Sequence, residues 1–148
     1  MIVLLGVATG TIYAQGVLKP STSSPEEVVA ARKFAMQVIG SNVGEIRAKI
    51  KAGNIKDVAA NAGSIAALAT FLPLVYKEEY DEVYPVAGSE YFYKAEIPDV
   101  VAAFANLRVQ AEELMKFADA GDRSGVETQT RNLLGACGGC HKPARGKY

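Results

Sequence analysis

Tryptophan is absent from this 148-residue chain, histidine occurs once and cysteine twice. Net charge is missing too: 16 Lys+Arg stand against 16 Asp+Glu. A nucleic-acid binder normally carries a clear basic excess to neutralise phosphates, so the balance argues against that class. Three Cys and His residues in total are too few for a four-ligand structural zinc site. No apolar stretch is expected to reach the ~18 residues of a membrane span. What is present fits one ordinary folded domain: 49% hydrophobic and 22% charged residues, in a chain long enough to bury a core. The scarce residues are also concentrated, because both cysteines and the histidine fall between Cys137 and His141.

Residues 1–14 (MIVLLGVATGTIYA) form an uncharged apolar run with small residues near its end. The length suits a signal-peptide core, although no basic residue precedes it. A buried first helix is the alternative, but Gly6, Thr9, Gly10 and Thr11 make a poor one. The expectation is a signal peptide over 1–14, a Ser/Thr/Pro-containing lead-in over 15–24, one domain over 25–148, and export to the periplasm.

The domain reads as four amphipathic helices. Ser24, Pro25 and Glu27 form a capping-box start. Val29, Arg32, Met36, Ile39, Val43, Ile46 and Ile50 then recur at helical spacing, and Gly53 stops the run. A second helix is predicted from Asn54, with the stripe Ile55, Val58, Ala62, Ile65, Ala69 and Leu72, broken by Pro73. A third starts near Pro98 and carries Val100, Phe104, Leu107, Ala111, Leu114 and Ala118 up to Gly121. The fourth, capped by Asp122 or Ser124, carries Val126, Thr130, Leu133, Cys137 and Cys140. Strand signals are weak. Short first and third connections predict an all-α, antiparallel up-down-up-down four-helix bundle.

The second connection differs from the others. Between Tyr76 and Asp99 lie seven acidic and two basic residues and six of the chain's twelve aromatics. Its rings are expected to cover one end of the bundle, with a lid or docking surface as the alternative. The segment from Asp122 to Tyr148 has the opposite character, with five basic residues against two acidic. A basic edge of this kind is expected to dock an acidic redox partner in a salt-dependent way.

Cys137-Gly138-Gly139-Cys140-His141 is C-x-x-C-H, the motif of c-type haem attachment. On a helix, positions i and i+3 share a face, so two thiols can reach the two vinyl groups of one haem. The adjoining histidine can then bind the iron. A thioredoxin-like site would want a βαβ context, and a plain disulfide would leave the only histidine unexplained.

A capped four-helix chain with C-x-x-C-H close to its C-terminus resembles the class II cytochromes c, the cytochrome c' and cytochrome c-556 type. Cytochrome c' is itself a standard example of the up-down-up-down bundle, so the fold expectation is not independent of the resemblance. The resemblance covers roughly Pro25 to Tyr148 and implies one covalent haem c, with its iron, in the bundle core. It implies attachment through Cys137 and Cys140, with His141 as axial ligand. A basic residue four positions after the motif is matched by Arg145, whereas Pro143, Ala144 and the lack of a Trp near Val101 depart from the pattern. Arg32 and Met36 match an arginine at a haem propionate and the residue covering the iron's other face. An arginine inside an apolar stripe also calls for an anionic partner on its own account.

Two function classes follow. The main expectation is an electron carrier in which His141 and Met36 hold the iron, because Met36 offers a ligand where an aliphatic residue would not; the alternative is the gas-binding type. In a gas-binding cytochrome c', the distal side stays open to nitric oxide or carbon monoxide. Catalysis is not expected, since the only histidine is used on the iron. Met115 is expected to be core filler. Phe34 and Val38 with Leu68 and Phe71 suggest a second apolar face and a homodimer.

Overall fold

The computed structural model describes residues 24–76, 91–93 and 97–147. The expected signal peptide, nearly all of the lead-in and most of the acidic connection lie outside the described residues. Helix α1 spans Pro25–Ala52 and begins as its capping box requires. The Ser24 hydroxyl accepts from the Glu27 N–H at 3.3 Å, and the Glu27 carboxylate accepts from the Ser24 N–H at 2.9 Å. Gly53, at φ +84°, closes the helix in the left-handed conformation that glycine adopts without a Cβ clash.

Helix α2, Val58–Val75, starts later than the sequence suggests. Asp57 makes no side-chain cap, and the segment from Asn54 turns instead, burying Ile55 ahead of the helix. Pro73 sits inside the last turn, and the helix ends soon after it, at Val75. The expectation about apolar runs also needs correction. These 18 residues carry no charge and have a mean hydropathy of 1.7, long and apolar enough to cross a membrane. Asn61, Ser64 and Thr70 interrupt the run to the eye without adding charge. In the fold, α2 gives Val58, Ala62, Ile65, Ala69 and Leu72 to the bundle core.

Helices α3 (Ile97–Asp119) and α4 (Arg123–Ala144) are joined through Gly121, at φ +70°. Asp122 is the residue that caps α4, accepting from the Gly125 N–H at 3.0 Å. Every apolar stripe position of α3 is buried, from Val100 to Ala118. Fully burying each large one contributes ~1.5–3 kcal/mol. Along α4, Val126 and Leu133 are wholly buried, and buried Thr130 returns its hydroxyl to the Val126 carbonyl at 2.7 Å.

The helices form an antiparallel bundle in which α2 packs on α3, α3 on α4 and α1 on α2. The fourth side closes least: α1 meets α4 only sparsely. One polar network sits inside the α1–α2 seam. Buried Asn61 donates to Asn42 at 2.9 Å and to Glu45 at 2.7 Å, and accepts from Lys49 at 2.5 Å. Complete pairing is what makes a buried amide tolerable, and it ties the register of two otherwise apolar helices.

One element was not predicted. Strands β1 (Tyr91–Tyr93) and β2 (Arg145–Lys147) form a two-stranded antiparallel ribbon pairing Tyr91 with Lys147, Phe92 with Gly146 and Tyr93 with Arg145. Three-residue strands offer too little period-two pattern to be read from sequence.

Candidate functional site

An up-down-up-down order brings the start of α1, the end of α2, the start of α3 and the end of α4 to one end of the bundle. Arg32, Met36, Cys137, Cys140 and His141 therefore share that end, and the β1–β2 ribbon continues from it.

Arg32 does not reach out to solvent; it is 2% exposed. Its Nε donates to the Val75 carbonyl oxygen at 2.7 Å, and its guanidinium lies 4.6 Å from the centre of the Tyr76 ring. Tyr76 in turn packs against Phe104, with ring centres 5.3 Å apart. The cation is thus clamped by a carbonyl and an aromatic face, both suited to a desolvated arginine. Sequence reading missed Val75 and Tyr76 as its partners. A signal existed, since Tyr76 extends the α2 stripe four residues beyond Leu72. Of the six rings of the aromatic connection, Tyr76 is the one whose side chain is described, and it packs into the bundle end.

Met36 lies one turn further along α1, half-buried and packed against the core. Met115 sits near the far end of α3, where its sulfur packs on Gly63, the core-filling role expected of it. On α4, Cys137 packs against the core and Cys140 lines a groove of about 620 Å³ along α3 and α4. Asn106, Gln110, Arg131 and Asn132 wall that groove. Buried Gln129 braces it by donating to the Gln110 carbonyl at 3.0 Å and to its side-chain oxygen at 2.8 Å. No disulfide joins the two cysteines. Burial pushes the Cys137 thiol above the usual range, and burial with the neighbouring Cys137 charge does the same to Cys140. His141 is exposed. Arg145 opens β2, its backbone paired with Tyr93.

These residues fit a covalently held haem in three respects. The two thiols are half-buried one helical turn apart, with a possible iron ligand next in sequence. Gly138 and Gly139 between them have no heavy atom within 4 Å of where a Cβ would stand, so nothing crowds the attachment turn. The helices bearing Met36 and Cys137 are the neighbouring pair that closes least, and both side chains stay half-buried against the core.

Fold and site together define a four-helix-bundle c-type haem protein. Residues 27–145 match the family model described as Cytochrome C', and the chain belongs to that family. It is a non-enzymatic haem protein whose cofactor is one covalent haem c. Among solved structures it is similar to a cytochrome c' with an unusual ligand-controlled dimer dissociation, at 27% identity over 84% of this chain and 98% of that one, TM-score 0.73. It is similar to cytochrome c' from Thermochromatium tepidum at 25% identity, with the same coverages and a TM-score of 0.72. A ferrous variant of cytochrome c' from Alcaligenes xylosoxidans with bound NO shares the fold at 19% identity, covering 85% of this chain and 98% of that one, TM-score 0.66. A search of curated protein sequences found no match. Cytochromes c' are usually periplasmic.

Proposed function

We propose that this chain is a periplasmic cytochrome c' that binds a small diatomic gas, nitric oxide or carbon monoxide, at a single haem. Family membership carries the reading, supported by a 27%-identical relative whose dimer dissociation is ligand-controlled. In this assignment Cys137 and Cys140 hold the haem through thioethers and His141 binds the iron. Arg32 faces a propionate and Arg145 is a further basic contact. The haem supplies a metal with a face open to a neutral diatomic ligand. The residues of the chain anchor it, neutralise its carboxylates and exclude water. Met36, half-buried at the same end of the bundle, would line the ligand's side of the haem, where its flexible thioether could move aside for a small ligand. Residues 1–14 act as the export signal.

The placement of Met36 favours a second reading. A half-buried thioether at the site end of α1 can itself be the sixth ligand, giving a His/Met electron carrier that exchanges electrons with a periplasmic redox partner. One experiment separates the two. The ferric absorption spectrum at neutral pH is high-spin and the ferrous form takes up carbon monoxide at once if the distal side is open. A low-spin ferric spectrum with an iron–thioether charge-transfer band, and slow carbon monoxide uptake, would replace the gas-binding reading with the carrier.

We also propose a homodimer through α1 and α2. Phe34, Phe71 and Leu74 are exposed on these helices at 67%, 66% and 57%. On α1, Gly40 and Gly44 have nothing within 4 Å of a built Cβ, so another helix can approach closely there. Val38 and Leu68, expected on the same face, are half-buried, and Leu68 packs against the core.

A further inference from the structure

Helix α4 contains four glycines, and only one is there for packing. A Cβ on Gly125 would run into the Phe117 ring and the Asp122 carboxylate. At Gly135, Gly138 and Gly139 a Cβ would meet no heavy atom within 4 Å, and none of the three has a positive φ. Neither packing within the chain nor backbone conformation asks for glycine at these places. Each weakens the helix about fivefold relative to alanine, the equivalent of ~1 kcal/mol.

Burial falls off over the same stretch. From Val126 to Ala136 the helix buries a residue in every turn: Val126, Gln129, Thr130, Leu133 and Ala136. After Ala136, Cys137, Gly138 and Cys140 are half-buried, while Gly139, His141 and Lys142 are exposed. Weak helix propensity combined with few buried contacts is the signature of a segment that opens locally while the rest of the domain stays folded.

We infer that the segment from Gly135 to Ala144 is held helical by haem attachment and not by the protein's own packing, and that this order passes through the β1–β2 ribbon to Tyr91–Tyr93. The inference rests on the haem reading above. Two thioethers one turn apart, with an iron bond at the next residue, tie the weak turn to a rigid body and remove most of its open conformations. Arg145–Lys147 follows Ala144 without a break and pairs with Tyr91–Tyr93. A ribbon of two three-residue strands is marginal by itself, so its persistence depends on where α4 delivers Arg145.

The test is amide hydrogen exchange, read by mass spectrometry, on the haem-loaded full chain and on a haem-free C137S/C140S chain. Peptides covering 135–144 and 91–93 are expected to exchange about 100-fold faster in the haem-free chain, while 126–133 changes by less than about tenfold. Equal protection of 135–144 in both chains would overturn the inference and leave the haem reading standing. Intact mass of the wild-type chain separates the two claims, since absence of covalent haem would overturn both. A second variant guards against general loosening. In the haem-free chain, G135A/G138A/G139A is expected to slow exchange of 135–144 by about 100-fold. No slowing would show that glycine is not the cause and would overturn the inference.

Discussion

Replacing Arg32 by methionine is expected to act differently on the two forms of the protein. In the haem-free chain, the substitution removes the bond from Nε to the Val75 carbonyl and the stack on Tyr76. A hydrogen bond from a charged donor contributes ~1.5–3 kcal/mol and a desolvated cation–π contact ~1–2 kcal/mol. Against these stands the cost of keeping a guanidinium 2% exposed, several kcal/mol that an apolar side chain of similar length avoids. The terms nearly cancel, so the haem-free change is expected to stay within about 1 kcal/mol. In the haem-loaded protein, the same substitution strands a propionate without its cation at a buried end, which costs ~3 kcal/mol or more. Urea titration of both forms measures the difference. With a slope of ~2 kcal/mol per molar, the loaded variant loses ~1.5 M of its midpoint and the haem-free variant shifts by less than ~0.5 M. Equal shifts in the two forms would refute the propionate assignment and leave Arg32 as a clamp between α1 and the end of α2.

Met36→Ala is expected to leave a high-spin ferric spectrum high-spin and to speed carbon monoxide binding by widening the distal side; a switch from low-spin to high-spin would identify Met36 as the ligand. Phe34→Lys with Phe71→Lys is expected to convert a dimer to monomers in sedimentation at micromolar concentration without changing helix content, because both rings are two-thirds exposed in the monomer. Gly125→Ala should destabilise by up to ~2 kcal/mol in urea, the ~1–3 kcal/mol of overpacking on Phe117 and Asp122 being reduced by ~1 kcal/mol of gained helix propensity. In the folded haem-free chain, iodoacetamide should modify Cys137 and Cys140 with a midpoint at higher pH than an exposed cysteine. Burial raises both thiols, so less thiolate is present at a given pH. A midpoint at or below that of a free cysteine would show that the thiols lie open.

The four helices and most of what they bury are legible in the chain alone. Apolar residues at spacings of three and four can reach a common core only on helical faces, and the capping box and the two left-handed glycines mark ends through purely local chemistry. The chain alone also locates the cysteines and histidine, because C-x-x-C-H is defined within one helical turn. The rest depends on packing between segments distant in the chain. That Arg32 lies under Tyr76 and against Val75 depends on how far α2 runs past Pro73, a question of packing and not of propensity. That Tyr91–Tyr93 pairs with Arg145–Lys147 joins segments more than fifty residues apart, and no local pattern encodes which distant edge three residues will meet. The weakly closed side of the bundle between α1 and α4 is equally invisible in the chain, since each stripe reports only that a face is buried and never what covers it.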